Sequence, residues 1–242
     1  MVRLSETERP MNQSLDTSKG GPILWGLRAA MVALGLVAWF GTQSLIGSRP
    51  STGAIGDAVL DQLSNVHDYL AAHAGARNVL LISSSAVIDV LGIFLLASSI
   101  VGRSMRPFVG LLILFALRQI CQAICVLPKP EGMLWGYPGF PSLLVTYSVG
   151  NDLFFSGHTA ISVYGAFELA RKSRWLAPVG VLIVVFEVFT VLALRAHWTM
   201  DVYAGAVTAL LVGILAGSVS PPVDRALARL TGRRTSNGSA AD

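Results

Sequence analysis

Apolar residues gather along this chain in six long runs, at about 25–46, 79–101, 108–127, 153–170, 178–195 and 199–219. A helix needs about 20 mostly apolar residues to cross a hydrocarbon core, and each run meets that length within a few residues. The pattern predicts an all-α, polytopic membrane protein. It would be one catalytic bundle of six transmembrane helices over 25–219, between a polar segment 1–24 and a basic, mobile tail 220–242. Two longer connections separate the runs. Over 48–78, Ile55, Val59, Leu63, Val66 and Leu70 recur at helical spacing with Asp57, Asp61 and Asp68 between them, which predicts an amphipathic helix lying on the membrane surface. Over 128–150, Pro128, Pro130, Pro138 and Pro141 mark a loop.

Composition agrees with lipid as the solvent. Only 13% of the 242 residues are charged, 53% are hydrophobic, and mean hydropathy is +0.61. A soluble domain carries about 25% charged residues. The net charge of +4 does not point to nucleic acid, because no basic run is interleaved with exposed aromatics. It reads instead as cations retained on one side of a membrane. Arg3, Arg9, Lys19, Arg28, Arg103, Arg106, Arg171, Lys172, Arg174, Arg225, Arg229, Arg233 and Arg234 fall on one side of the six spans. Arg49, Arg77, Lys129 and Arg195 fall on the other, and Arg118 lies within a span. This asymmetry puts both termini in the cytoplasm. Trp25 and Trp175 then sit at the inner interface, and Trp135 and Trp198 at the outer one. The acidic start, with Glu6, Glu8 and Asp16, is unlike a signal peptide, so the first run reads as a retained span. Cys121 and Cys125, one helical turn apart, fit a disulfide poorly and read as small buried hydrophobes.

The same topology brings two histidines to one membrane face. The fourth run opens Gly150-Asn151-Asp152-Leu153-Phe154-Phe155-Ser156-Gly157-His158-Thr159, the sixth opens His197-Trp198-Thr199-Met200-Asp201, and both begin on the outer side. His197 and Asp201 are four apart, hence on one helix face. The carboxylate can accept from one ring nitrogen and leave the other's lone pair free to act as nucleophile or base. His158 could then serve a leaving oxygen. Phosphoryl chemistry needs little more than cations for the charged oxygens, and Arg195 is close in sequence. Spacing alone also admits satisfied interfacial polar groups with no catalytic role.

Asp152-x3-Ser156-Gly157-His158-Thr159 and His197-x-Thr199-x-Asp201-Val202 resemble the two catalytic signatures of the sphingomyelin synthase family, a branch of the type 2 phosphatidic acid phosphatase superfamily. Arg118 followed by Leu127-Pro128-Lys129-Pro130 resembles that family's third-span arginine and its Leu-Pro-x-Pro. The resemblance covers about 108–215. It implies His197 as the nucleophile of a phosphohistidine intermediate, Asp201 as its orienting partner and His158 as proton donor and acceptor. Arg118, Arg195, Asp152, Ser156 and Gly157 would then hold substrate. The chain departs from that family at Trp198, usually Tyr, at Ala206, and at Gly150-Asn151. The phosphatase branch fits less well: Arg106-Pro107 is present, but its lysine position is Ser99, and Thr190-Val191 stand where that branch has Ser-Arg.

Three charges fall inside the runs: Asp89, Arg118 and Glu187, each about 12–15 Å deep at 1.5 Å per residue. Such groups are costly unless paired, which predicts that Arg118 pairs with one of the two acids, as a cavity floor or as a register pin. His67 and His73 read as solvated bystanders, and Glu168 as a partner of Arg171 and Lys172. Phe94 and Phe186 read as packing or lipid-facing residues. The leading expectation is a multi-pass enzyme of the cell membrane, with its site facing outward and its substrates in the bilayer. It would move a phospho-alcohol from a phospholipid to a lipid alcohol. The alternative is a lipid phosphatase or phospholipase C-like hydrolase using the same residues with water as acceptor. A non-catalytic transporter is less favoured, since neither repeats nor broken spans are evident. No cofactor and no metal are implied, since no carboxylate cluster offers hard oxygen ligands. A homo-oligomer is left open.

Overall fold

A computed structural model describes residues 21–48, 56–147 and 153–231. Asp152, Ile55, Arg49 and the terminal charges Arg3, Arg9, Lys19, Arg233 and Arg234 lie outside the described residues. Among those described there is no strand. The helices are α1 Pro22–Gly47, α2 Ala58–Gln62, α3 Ser64–Ala72, α4 Ala74–Val101, α5 Arg106–Ile124, α6 Gly157–Lys172, α7 Ala177–Ala193 and α8 Thr199–Leu230. Among the described residues five segments are long and apolar enough to cross a membrane: Pro22–Leu45, Ala74–Val101, Arg106–Ile124, Arg174–Ala193 and Thr199–Leu230. The expected fourth span is shorter than the run implied. Leu153 to Ser156 are not helical, and the 16 residues of α6 reach only about 24 Å. The cause is local: Ser156 is extended and caps the helix, its hydroxyl accepting from Thr159 N–H at 3.3 Å.

α6 lies at the centre of the bundle, against α7, α8 and α4, while α5 packs on α8. Ile88, Leu91, Leu95, Leu114, Phe155, Ile161, Tyr164, Ala209 and Val212 interdigitate there as the main core. Two glycines let one helix approach the backbone of another segment. A Cβ on Gly205 would sit 2.6 Å from the Ser156 carbonyl oxygen, and one on Gly180 would sit 2.8 Å from Ala166. Neither obstacle is a flexible side-chain tip, so Gly205→Ala has to push α8 off α6. We expect a cost of about 1–3 kcal/mol, read as a lower detergent Tm, with loss of the site that this contact aligns.

Several inferences from the pattern are corrected by packing. The tail is not mobile from Pro221: α8 continues through Pro221 and Pro222 to Leu230. Leu227 is buried against Leu24, Val32, Met105 and Phe108. Asp224 accepts from Ser104 Oγ at 2.6 Å and from Met105 N–H at 2.8 Å, at the start of α5. The surface segment is two short helices broken at Leu63, and the break shifts the phase of its stripe. Leu60, His67 and Leu70 face inward, while Val59 and Val66 are exposed. His67 is therefore no solvated bystander. It is buried, and its Nδ1 lies 3.0 Å from the Ala193 carbonyl oxygen. His73 is exposed and stacks on Tyr69.

The intramembrane charges also pair differently from expectation. Arg118 joins neither acid. Glu187 accepts from Ser84 Oγ at 2.6 Å. Asp89 accepts from Ser142 Oγ, Leu143 N–H and Leu144 N–H, each at 2.9 Å, and so pins the 128–147 loop onto α4. Glu168 points inward and pairs with Arg106, which also donates to the Gly213 carbonyl at 2.6 Å, whereas Arg171 and Lys172 are exposed. Arg28 donates to the Gly102 carbonyl at 2.6 Å, among the free carbonyls that end α4. Trp198 is packed inside and donates from Nε1 to the Pro128 carbonyl at 2.8 Å, so it is not an exposed interface ring. Cys121 and Cys125 are free and half-buried.

Candidate active site

The start of α6 and the start of α8 meet, as the topology argument expected of the two histidines. A backbone hydrogen bond from Ser156 N–H to the Asp201 carbonyl, 3.0 Å, ties the two N-termini together. His158 and His197 both line one open cleft of about 660 Å³, with Arg118, Gly157 and Gln43. His197 is the better held of the pair. Its Nδ1 lies 3.1 Å from Asp201 Oδ2, and the same oxygen accepts from Trp198 N–H at 3.1 Å. Asp201 is fully buried and reciprocates with Trp198 across the first turn of α8. One carboxylate thus caps the helix and fixes the imidazole, which leaves Nε2 as the nitrogen free to react. His158 stands edge-on to the Trp135 ring, with centroids 4.9 Å apart. Its Nε2 is shielded from solvent and makes no hydrogen bond among the described residues.

Arg118, on α5, is buried and donates to Gln43 Oε1 on α1. A Cβ on Gly157 would stand 3.5 Å from its Nε, so the guanidinium lies beside the start of α6. A planar cation at a helix N-terminus, flanked by two imidazoles, is an arrangement that binds phosphate oxygens. Among the described residues no group of three or more His, Cys, Asp or Glu could hold a metal ion.

The other expected substrate contacts separate. Gly157 lines the cleft. Ser156 is fully buried, and its side chain is taken up in capping α6 and in a 3.0 Å bond from Thr159 Oγ1. Arg195 does not line the cleft. It has φ of +50°, donates to the Glu131 carbonyl at 2.9 Å and to Ser64 Oγ at 3.2 Å, and so braces the turn behind His197.

The profile of the AtPDCT1/2 family matches residues 57–218, more than half of the chain and every described site residue on α5, α6 and α8. The chain belongs to that family. Among curated relatives, it is 28% identical over 191 residues to phosphatidylcholine:diacylglycerol cholinephosphotransferase 1 of Arabidopsis thaliana, covering 77% of this chain and 61% of that protein. It is 32% identical over 116 residues to phosphatidylcholine:diacylglycerol cholinephosphotransferase 2 of the same plant, covering 46% of this chain and 37% of that one. The chain therefore spans less than two thirds of the length of either relative. No solved structure matches.

Within this AtPDCT1/2 member, some cleft residues escaped the sequence reading. α1 lies outside the matched stretch, yet it supplies Trp39, Phe40 and Gln43. Gln43 had a signal, a polar residue one turn from the end of an apolar run. Asp57, outside the cleft, had one too, an acid among the apolar positions of the surface segment, but its partner on α8 is 142 residues away. The aromatic wall carried no signal, because packing and substrate-binding aromatics look alike in sequence.

Proposed function

We propose that this protein is a membrane-embedded phosphatidylcholine:diacylglycerol cholinephosphotransferase-like enzyme, which moves phosphocholine between diacylglycerols through a phosphohistidine. The observation that carries the proposal is the His197–Asp201 couple facing, across one cleft, a second imidazole and a buried arginine. The names of the relatives support the head group and the acceptor, and the resemblance of the motifs to sphingomyelin synthases supports the chemistry.

His197 Nε2 attacks the phosphorus of the donor, and the bond from phosphorus to the glycerol oxygen breaks. His158 gives its proton to that oxygen, releasing diacylglycerol and leaving phosphocholine on His197. A second diacylglycerol then enters. Its hydroxyl loses a proton to His158 and attacks phosphorus, and His197 leaves with its lone pair restored. Arg118 holds the non-bridging oxygens in both steps. Trp39, Phe40, Phe115 and Trp135 give the cleft aromatic faces, which suit a trimethylammonium group better than a smaller, more strongly hydrated ammonium. A second, apolar groove shares Trp39, Phe115, Leu144 and Ile161 with the cleft and continues between Gly35, Gly92, Leu96 and Phe108, where acyl chains would lie.

Purified protein in vesicles, given phosphatidylcholine and a diacylglycerol of distinguishable acyl composition, should make phosphatidylcholine carrying the second set of chains. Free phosphocholine or phosphate without new phosphatidylcholine would instead establish a hydrolase with water as acceptor. Failure of both would remove the reading. The orientation follows the charge asymmetry, with six spans, both termini cytoplasmic and the cleft outward. Gly136 is exposed on the 128–147 loop, so Gly136→Cys in a cysteine-free background should react with an impermeant reagent on whole cells. Labelling only after permeabilisation would turn the site to the inner face.

A further inference from the structure

α2 and α3 make side-chain bonds to one place on the bundle, the turn from Ala193 to Thr199 that joins α7 to α8 and carries His197. Asp57, at the N-cap of α2, accepts from Thr199 N–H at 2.6 Å with Oδ2 and from Thr199 Oγ1 at 2.8 Å with Oδ1. Ser64 Oγ accepts from Arg195 Nη2 at 3.2 Å, and His67 Nδ1 lies 3.0 Å from the Ala193 carbonyl. Between these bonds Leu60 is buried against Leu192, Ala196 and Trp198. The same Asp57 accepts from Val59 N–H at 3.0 Å to start α2, so one carboxylate caps two helices of different origin.

We propose that Asp57 is a positioning residue for His197, acting through Thr199, and that α2–α3 is a strap whose function is to fix the depth and rotation of that imidazole in the cleft. The idea rests on His197 being the reacting group. The geometry favours positioning over mere attachment. Thr199 is two residues after His197 and two before Asp201, so the anchored residue sits between the members of the couple. Thr199 is the first residue of α8, where backbone N–H groups lack intrahelical acceptors, and a carboxylate there is favoured by the helix dipole. Burial would raise the pKa of Asp57, but the bonds from Thr199, Leu60 and Val59 outweigh it and hold the carboxyl below its ordinary value. Asp57 is therefore an anion at neutral pH, able to accept from both Thr199 donors at once. A role for the motif threonine follows as well: its hydroxyl is the second donor.

The test is steady-state exchange kinetics on Asp57→Asn, Thr199→Val, their double variant, His197→Ala and the exposed control Asp61→Asn, with a detergent melt for each. Small displacements of a reacting group cost up to about a hundredfold in rate. We expect kcat to fall roughly ten- to a hundredfold in each single variant, with KM changed less than about twofold. The double variant should be no slower than the worse single, because both changes weaken the same contact. Asp61→Asn should match the unsubstituted protein. Unchanged kcat in Thr199→Val, a rise confined to KM, or losses that multiply in the double variant would each overturn the positioning role. If Asp57→Asn does not fold, the near-isosteric Thr199→Val alone decides. Full activity in His197→Ala would instead remove the nucleophile assignment. An inactive His197→Ala beside unimpaired strap variants would remove the strap and leave that assignment standing.

Discussion

His197→Ala should abolish head-group exchange while the protein still folds. The cleft holds one other imidazole, His158, and it has no carboxylate partner among the described residues to orient it as Asp201 orients His197. The fold should survive because Asp201 keeps the bond from Trp198 N–H at 3.1 Å when the imidazole is gone. Its neighbours should grade below it. Asp201→Asn retains the shape but weakens the hold on the Nδ1 proton, and by analogy with triad orienters it should cost about 10⁴ or somewhat less in kcat. His158→Ala should slow both proton-transfer steps by about 10²–10⁴. The direct readout is the covalent intermediate. Donor labelled at phosphorus should leave acid-labile label on the protein. His197→Ala should carry none, and His158→Ala should still accumulate a trace, because attack precedes full proton transfer. Label on the His197→Ala protein, or exchange at the normal rate, would sink the phosphohistidine route.

Arg118→Lys should keep most of the stability and lose most of the activity. The guanidinium is buried, donates to Gln43 on α1 and lies against the start of α6, and a fork can serve an amide oxygen and a phosphate together. Lysine offers a point charge on a flexible stem and cannot span both. A charge-assisted hydrogen bond is worth about 1.5–3 kcal/mol, which converts to a loss of about ten- to 150-fold in kcat/KM. The structural alternative is separable. If Arg118 only bridges α5 to α1, Arg118→Met with Gln43→Leu replaces a polar contact by an apolar one, which need not destabilise. That double variant should recover stability and not activity. Recovery of both in a melt and an exchange assay would take Arg118 out of the site. Asp89→Leu is no substitute for Gln43→Leu here, since Asp89 holds the loop at Ser142, Leu143 and Leu144.

What depends on local pattern and on the solvent is legible along the chain. Apolar runs too long for soluble helices dictated an all-helical membrane bundle, because backbone polar groups in lipid must be satisfied within the segment. The i, i+4 spacing of His197 and Asp201 pointed to their contact, although His197 stands in the turn before α8 and meets Asp201 across the helix N-terminus rather than along a helix face. The meeting of His158 with that couple came from counting spans, which put both helix starts on one side.

Partners far apart in sequence are chosen by packing. Arg118 donates to Gln43 and joins neither acid; Asp89 accepts from three donors of the 128–147 loop and Glu187 from Ser84. Glu168 took Arg106 because it faces the core and Arg171 does not. His67 and Trp198 were drawn inside by carbonyls at Ala193 and Pro128 that sequence could not assign to them. Arg195, next but one to His197 in sequence, turns away from the cleft at a left-handed residue, while Asp57, 142 residues from its partner, closes onto Thr199. Hydrophobic periodicity tells which face of a helix is buried. It says nothing about which buried polar group will meet which, because that depends on the angle and depth at which two helices pack, and those are fixed by contacts such as Gly205 on Ser156.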